Sequence, residues 1–189
     1  MFVCRRELTV GTLTLLRGYR IDFLFHLRKA IELCAFAARM AKHPAMSRIW
    51  IQARVSDEAW EKFRDKFIKL FPEDDPELTN LYPAYDEASV AMHSSPVAVA
   101  HYLSGDRVVA AVPNIAVFDL ASDPVFMAYF IVAVDRHLTI LAVFERILKP
   151  YAGDTTEWSQ RLRSARVTFS ARRTQWMPLV QKGMNSQGQ

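Results

Sequence analysis

Apolar residues recur every three or four positions along most of the chain, the period of one helix face rather than the alternation of a strand. Phe23, Leu27, Ala30, Ile31, Cys34, Ala38 and Ala41 fall on one side of a helix over Tyr19–Lys42. It should stop before His43-Pro44, because the residue ahead of a proline avoids the α region. A second helix is expected after Ser56, a good N-cap, as far as Phe71 ahead of Pro72. Its stripe is Trp60, Phe63, Phe67 and Leu70, with Glu58/Lys62 and Asp65/Lys69 as i,i+4 pairs on the wet side. A third covers Ala84–Ser94 and continues past Pro96 to Leu103, with Ser104-Gly105 as its stop. The segment Arg107–Leu120 is rich in strand-forming residues and reads as either a short β-hairpin or an extended connection. A fourth helix takes Ser122 as cap and Pro124 in its first turn, and runs to Lys149 before Pro150. A fifth opens at Asp154, where Glu157 completes a capping-box-like start, with Trp158, Leu162, Ala165, Phe169, Trp176 and Val180 as its stripe. The expected fold class is therefore all-α: one helical bundle of about five helices over 1–182, with a flexible tail at 183–189.

Composition sharpens this picture. A chain of 189 residues fits one domain and buries roughly 70% of its unfolded surface. Six glycines are too few for a turn-rich β fold or a glycine-lined nucleotide site. The two cysteines, Cys4 and Cys34, do not make a disulfide framework, and Cys34 sits in an apolar run as a small hydrophobe. That usage suits a reducing compartment, so a cytoplasmic location is expected. The uncharged apolar runs Pro124–Val134 and Val108–Phe118 fall short of the ~20 residues that span a bilayer, so no transmembrane segment is expected. The first twenty residues place basic flanks around a short apolar run, but Glu7 interrupts it and no small-residue cleavage site follows. They read as an ordinary first segment. The net charge of +4 is concentrated beyond Thr155, where Arg161, Arg163, Arg166, Arg172, Arg173 and Lys182 face only Glu157.

Polar residues on apolar helix faces are the candidates for chemistry. His137 shares a face with Phe130, Ala133, Leu141 and Phe144 on the fourth helix. It is either a core histidine bonded to one partner or a polar group lining a pocket. Arg28 and Glu32 align on the mixed face of the first helix, where an exposed i,i+4 pair contributes a few tenths of a kcal/mol. In YDEASVAMHSS, Tyr85, Ser89 and His93 follow one ridge at i, i+4, i+8. An activated serine is disfavoured there. Asp86 lies about 10 Å along the axis from His93, and a mid-helix serine has no free N–H groups to form an oxyanion hole. No glycine-flanked nucleophile elbow occurs. Zinc-type cysteine pairs, H-E-x-x-H, phosphate-loop and dinucleotide fingerprints are also missing from the sequence, so neither a metal nor a cofactor is expected. The C-terminal arginines Arg161, Arg163, Arg166, Arg172 and Arg173 either solubilise a packed helix or form a nucleic-acid or anionic-membrane surface that gains from counterion release.

The segment LRKAIELCAFAARMAKHPAMSRIW, followed further on by YDEASVAMHSS, resembles a group of uncharacterised bacterial all-helical proteins similar to HEPN domains. In these an Arg-x-x-x-Glu helix precedes a Tyr-x-x-x-Ser-x-x-x-His helix, and the matching positions are Arg28, Glu32, Tyr85, Ser89 and His93. The resemblance covers about half of the chain and implies a bundle in which these five side chains meet. Some HEPN proteins are metal-independent ribonucleases with an Arg-x(4–6)-His motif on a late helix. Here that spacing occurs only as Arg20 to His26, on the first helix and ~120° apart around it. The leading expectation is a non-enzymatic helical binding module for a partner protein, RNA or DNA. The alternative is a metal-independent HEPN-like ribonuclease.

Overall fold

The computed structural model describes residues 1–52, 58, 61, 71, 75–92, 123–153 and 156–186. Six helices and no strand occur among them: α1 (Phe2–Leu16), α2 (Arg20–Lys42), α3 (Ala45–Gln52), α4 (Pro76–Met92), α5 (Asp123–Leu148) and α6 (Thr156–Ser186). The all-α expectation holds. Of the helix expected after Ser56 only residues 58, 61 and 71 are described, while the extended segment at 107–120 and the third helix beyond Met92 lie outside the described residues.

The first segment folds into a helix that the sequence reading left unassigned. Cys4, Leu8, Gly11 and Leu15 are buried at i, i+4, i+7, i+11, so one stripe faces inward. The chain then reverses through a Schellman-type turn. The Tyr19 N–H donates to Thr14 O at 2.9 Å and the Gly18 N–H to Leu15 O at 2.9 Å. Gly18 takes φ +84°, a left-handed conformation that glycine enters without a Cβ penalty. α1 therefore lies antiparallel against α2, and Gly11 sits close against it. A Cβ there would stand 2.9 Å from the His26 Cβ.

α2 is the centre of the bundle. Its expected apolar face is buried almost throughout, and Leu24 and Ala35 are buried beside it. The buried surface is wide because α1, α4 and α5 all pack against it. Phe23, Leu27 and Ile31 are sealed at its middle, each of a type whose burial stabilises by roughly 1.5–3 kcal/mol.

α4 begins at Pro76, eight residues before the expected Ala84. Proline at the first helical position loses no hydrogen bond, since that N–H has no partner inside the helix. Asp75 caps it by accepting the Leu78 N–H at 3.2 Å. Pro83 lies within the helix on the exposed side and does not end it. Arg146 of α5 braces the same end, 2.7 Å from the Asp75 carboxylate and 3.3 Å from Glu77.

α5 presents one side to α2 through Ala133, Ile140, Val143 and Phe144, and the opposite side to α6 through Ile131 and Ala142. α6 runs antiparallel on it. Ser159 bonds Glu145, Arg173 lies 3.6 Å from Asp135, and Gly183 meets Pro124. Leu162, Arg166, Phe169, Arg173, Trp176 and Val180 occupy this seam at alternating spacings of four and three, the geometry of a left-handed helix pair. Only Leu162 and Val180 are buried, while Trp158 and Ala165 of the expected stripe stay exposed. The helix continues through Ser186, past the boundary at 182 where a tail was expected.

α5 is also the one described helix long and apolar enough to cross a membrane, with mean hydropathy 1.6 over an 18-residue window. The sequence expectation counted only uncharged runs. α5 passes by length and composition because Asp135 and Arg136 are its only charges across a long interior. Both are engaged by neighbouring helices, Asp135 by Arg173 and Arg136 by the Asn80 carbonyl at 2.8 Å.

The glycine at the α1–α2 crossing carries a direct test. Gly11→Ala gains up to about 1 kcal/mol of helix propensity. It also forces two helix backbones apart, which typically costs about 1–3 kcal/mol. A net loss of about 1–2 kcal/mol in denaturant unfolding is expected. An unchanged or raised midpoint would show that the helices do not approach this closely.

Candidate functional site

The residues matched to the HEPN-like pattern fall partly together. Arg28 reaches from α2 to α4, where its Nε donates to Ser89 Oγ at 3.0 Å and its guanidinium lies 5.4 Å from the Tyr85 ring centroid. The Ser89 hydroxyl in turn donates to the Tyr85 carbonyl at 2.7 Å. The serine proton is therefore spent on its own helix, and one of the oxygen's acceptor positions is filled by an arginine. An oxygen held this way is a tie between two helices rather than a nucleophile beside a base. Phe71 extends the cluster, its ring 5.1 Å from that of Tyr85.

Glu32 is half-buried one turn along α2, but among the described residues it makes no ion pair with Arg28. The i,i+4 pair expected from the sequence is thus not formed, because the guanidinium crosses to the tyrosine face and the serine of α4. His93 lies outside the described residues. Arg20 and His26, at the ribonuclease-like spacing but expected on different sides of the helix, do diverge. Arg20 sits over the Tyr129 ring of α5, 5.1 Å from its centroid, while His26 Nδ1 is 2.7 Å from a Glu7 oxygen of α1.

Glu7 is the one buried charged residue among those described, and the sequence reading noted it only as an interruption. Its carboxylate meets Arg6 at 2.8 Å and His26 at 2.7 Å. Burial alone pushes such a carboxyl upward. The hydrogen bonds from Arg6 and His26, with their charges, outweigh that and hold Glu7 below the usual carboxylate range. The signal was a lone acid between Arg5-Arg6 and the apolar run that opens at Leu8, and it becomes legible only once 2–16 is known to be a helix.

His137 was expected to face the core or to line a pocket. It is half-buried, and its surroundings are the wall of an open groove between α1 and α5 of about 420 Å³. The floor is Phe130, Val134 and Leu138, and α1 contributes Thr9, Thr12 and Leu13. The ring is held by the Ala133 carbonyl at 2.7 Å from Nδ1 and by Thr12 Oγ1 at 3.4 Å from Nε2. Burial pulls its pKa below the ordinary histidine value, partly countered by the backbone carbonyls of Ala133 and Leu8. The ring is part-buried and bonded as the core reading has it, and it also lines the groove because α1 leaves this side of α5 partly uncovered.

The five arginines of α6 do not form one stripe. On the helical projection Arg166 and Arg173 lie toward α5, Arg161 and Arg172 on one flank and Arg163 on the other. Arg161 pairs with Glu157 at 2.5 Å and Arg173 with Asp135 at 3.6 Å.

No group of three or more metal-ligating side chains occurs among the described residues. Cys4 and Cys34 are both buried free thiols pushed upward by burial, Cys4 to about 11, so neither is poised as a nucleophile at neutral pH. No known protein family matches the chain, and no curated protein or solved structure is significantly similar to it.

The two perturbed polar groups give pH signatures of opposite origin in different windows. Glu7 titrates lower in the folded than in the unfolded chain, so its contribution is complete above about pH 4.5 and is lost as pH falls through the folded value. Glu7→Gln should remove that acid-side loss and lower stability by about 1–3 kcal/mol at pH 7, since a charge-assisted bond is gone. His137 also titrates lower in the fold, so the unfolded chain takes the proton first and stability declines as pH falls below about 6.5. His137→Gln should flatten that decline. Unfolding free energies between pH 3 and 8 check both, and unchanged profiles in the two variants would contradict these placements.

Proposed function

We propose that the protein is a non-enzymatic helical interaction module whose partner is another protein. The observation behind this reading is α6, a 31-residue helix that covers one side of α5 and leaves most of its own surface outside the bundle. Val167 and Leu179 are about two-thirds exposed and Trp158 nearly half, with arginines between them. Aromatic, aliphatic and arginine side chains exposed together are the composition of protein contact surfaces. Nucleic acid is less favoured because the arginines diverge around the helix, whereas a phosphate backbone is followed by cations on one side. Ribonuclease chemistry has less behind it still. Arg20 and His26 are engaged by different helices, and Ser89 is bonded on both sides.

A photo-cross-linkable residue at Val167 or Leu179, introduced into the full chain in its host, should give a discrete protein adduct. The same probe at Tyr151, exposed but off α6, should not. Indistinguishable patterns at the three positions would remove the protein reading. Filter binding to single- and double-stranded nucleic acid over a salt series runs alongside it. A steep log–log slope there would return the arginines to a nucleic-acid role.

A further inference from the structure

We infer that the groove between α1 and α5 receives an amphipathic helix with acidic flanks, contributed by a partner protein. The inference rests on the reading of the chain as an interaction module and names where and by what it is engaged.

The shape of the vacancy comes from the packing around α5. Seen down its axis, α1 approaches on the side of His137, which meets Thr12, and α6 on the side of Ile131 and Ala142. These directions are about 130° apart on the helical projection. Helices of equal width packed around a central one sit about 60° apart, so among the described residues two neighbours separated by this angle leave room for one more. The floor of that gap, Phe130, Val134 and Leu138, is apolar and only half-buried. Its α1 wall continues outward as Leu13, Leu16 and Phe2, exposed by 51%, 56% and 80%. A row of apolar side chains in a trough beside a helix wall is the surface that an i, i+3/i+4, i+7 stripe fills.

The charge of the occupant follows from the rims. α1 exposes Arg5, Arg6 and Arg17, while its one acid, Glu7, is buried on the opposite side against α2. The flank of α6 turned toward this side of α5, beyond the groove's own lining, carries Arg161 and Arg172. Arg6 and Arg161 already adjoin Glu7 and Glu157, whereas Arg5 and Arg17 have no carboxylate partner among the described residues. An apolar stripe edged with Glu or Asp complements both features. Such rim charges speed association and fix orientation, and a partner with Lys on its flanks would set like charges against each other.

The test uses two synthetic peptides of about 18 residues, five helical turns, sharing one Leu/Phe stripe but carrying Glu or Lys on the flanks. Each is titrated into the full-length chain while NMR follows the His137 ring and the Thr12 and Val134 methyl groups. The Glu peptide should shift these resonances saturably and bind about tenfold more tightly than the Lys peptide, a difference of about 1.4 kcal/mol. Leu13→Asp, at a half-exposed position, should weaken it at least about tenfold with the melting temperature unchanged. Arg5→Glu with Arg17→Glu should bring the two peptides level. Equal affinities in the wild-type chain, or no effect of Leu13→Asp, would overturn the assignment. So would Leu13-dependent binding to vesicles of mixed zwitterionic and anionic lipid without peptide binding, or a Leu13-dependent dimer. If the peptides fail while Val167 or Leu179 still cross-links to a protein, only the groove assignment falls. If both fail, the interaction-module reading falls with it.

Discussion

A helix whose apolar surface is wider than one neighbour can cover has to be surrounded, and α2 imposes that requirement on this fold. Its buried positions include Leu24 and Ala35 beside the main stripe, so α1, α4 and α5 each take a share. Packing at interior density leaves little latitude in those placements. α1 is admitted close to α2 because Gly11 presents no Cβ to His26. α4 is held in register by Asp75 at its cap and Arg146 from α5, so its angle is fixed at the end and by burial of Leu78, Leu81, Ala84 and Ala88 along its length.

The same constraint accounts for the polar side chains. Three that lie near the α2 surface are claimed by neighbouring helices: Arg28 by Ser89 and Tyr85, His26 by Glu7, Arg20 by the Tyr129 ring. Buried polar groups require partners, and three helices packed on one supply them at short range. The consequence for chemistry is restrictive. A general base or nucleophile needs an unoccupied lone pair or a transferable proton in reach of substrate, and these groups are committed to holding helices together.

The sequence carried the core well because periodicity reports burial directly. Phe23, Leu27, Ala30, Ile31 and Cys34 were legible as one face, and all are sealed. Boundaries were less legible where a local rule competed with tertiary packing. Pro83 reads as a place to start afresh, yet it sits on the exposed side of α4, where a missing N–H is cheap, and Asp75-Pro76 was the truer start signal. The site was legible only in part. Arg28, Tyr85 and Ser89 meet, as the resemblance implied, but the direction in which Arg28 leaves α2 depends on a tyrosine face on another helix. Glu7 was hidden because its meaning depends on α1, whose only outward sign was a weak stripe ending at Gly18. His137 was placed on the correct face, but how much of that face α1 covers is a property of the α1–α2 hairpin and not of α5.

α5 shows why an open side remains. Apolar residues occur nearly all round it, and a helix of that kind is stable in water only when neighbours cover every side. α2 and α4 take two sides and α6 takes the third, the last through a seam that includes Asp135, Glu145, Arg166 and Arg173 and buries little. On the fourth side α1 is drawn away toward α2 by Gly11 and by the Glu7–His26 bond, so it walls the groove instead of roofing it. The hydropathy that makes α5 resemble a membrane span and the vacancy beside Phe130 and Val134 therefore have one origin. Among the described residues, a helix largely apolar in composition has three neighbours and part of a fourth.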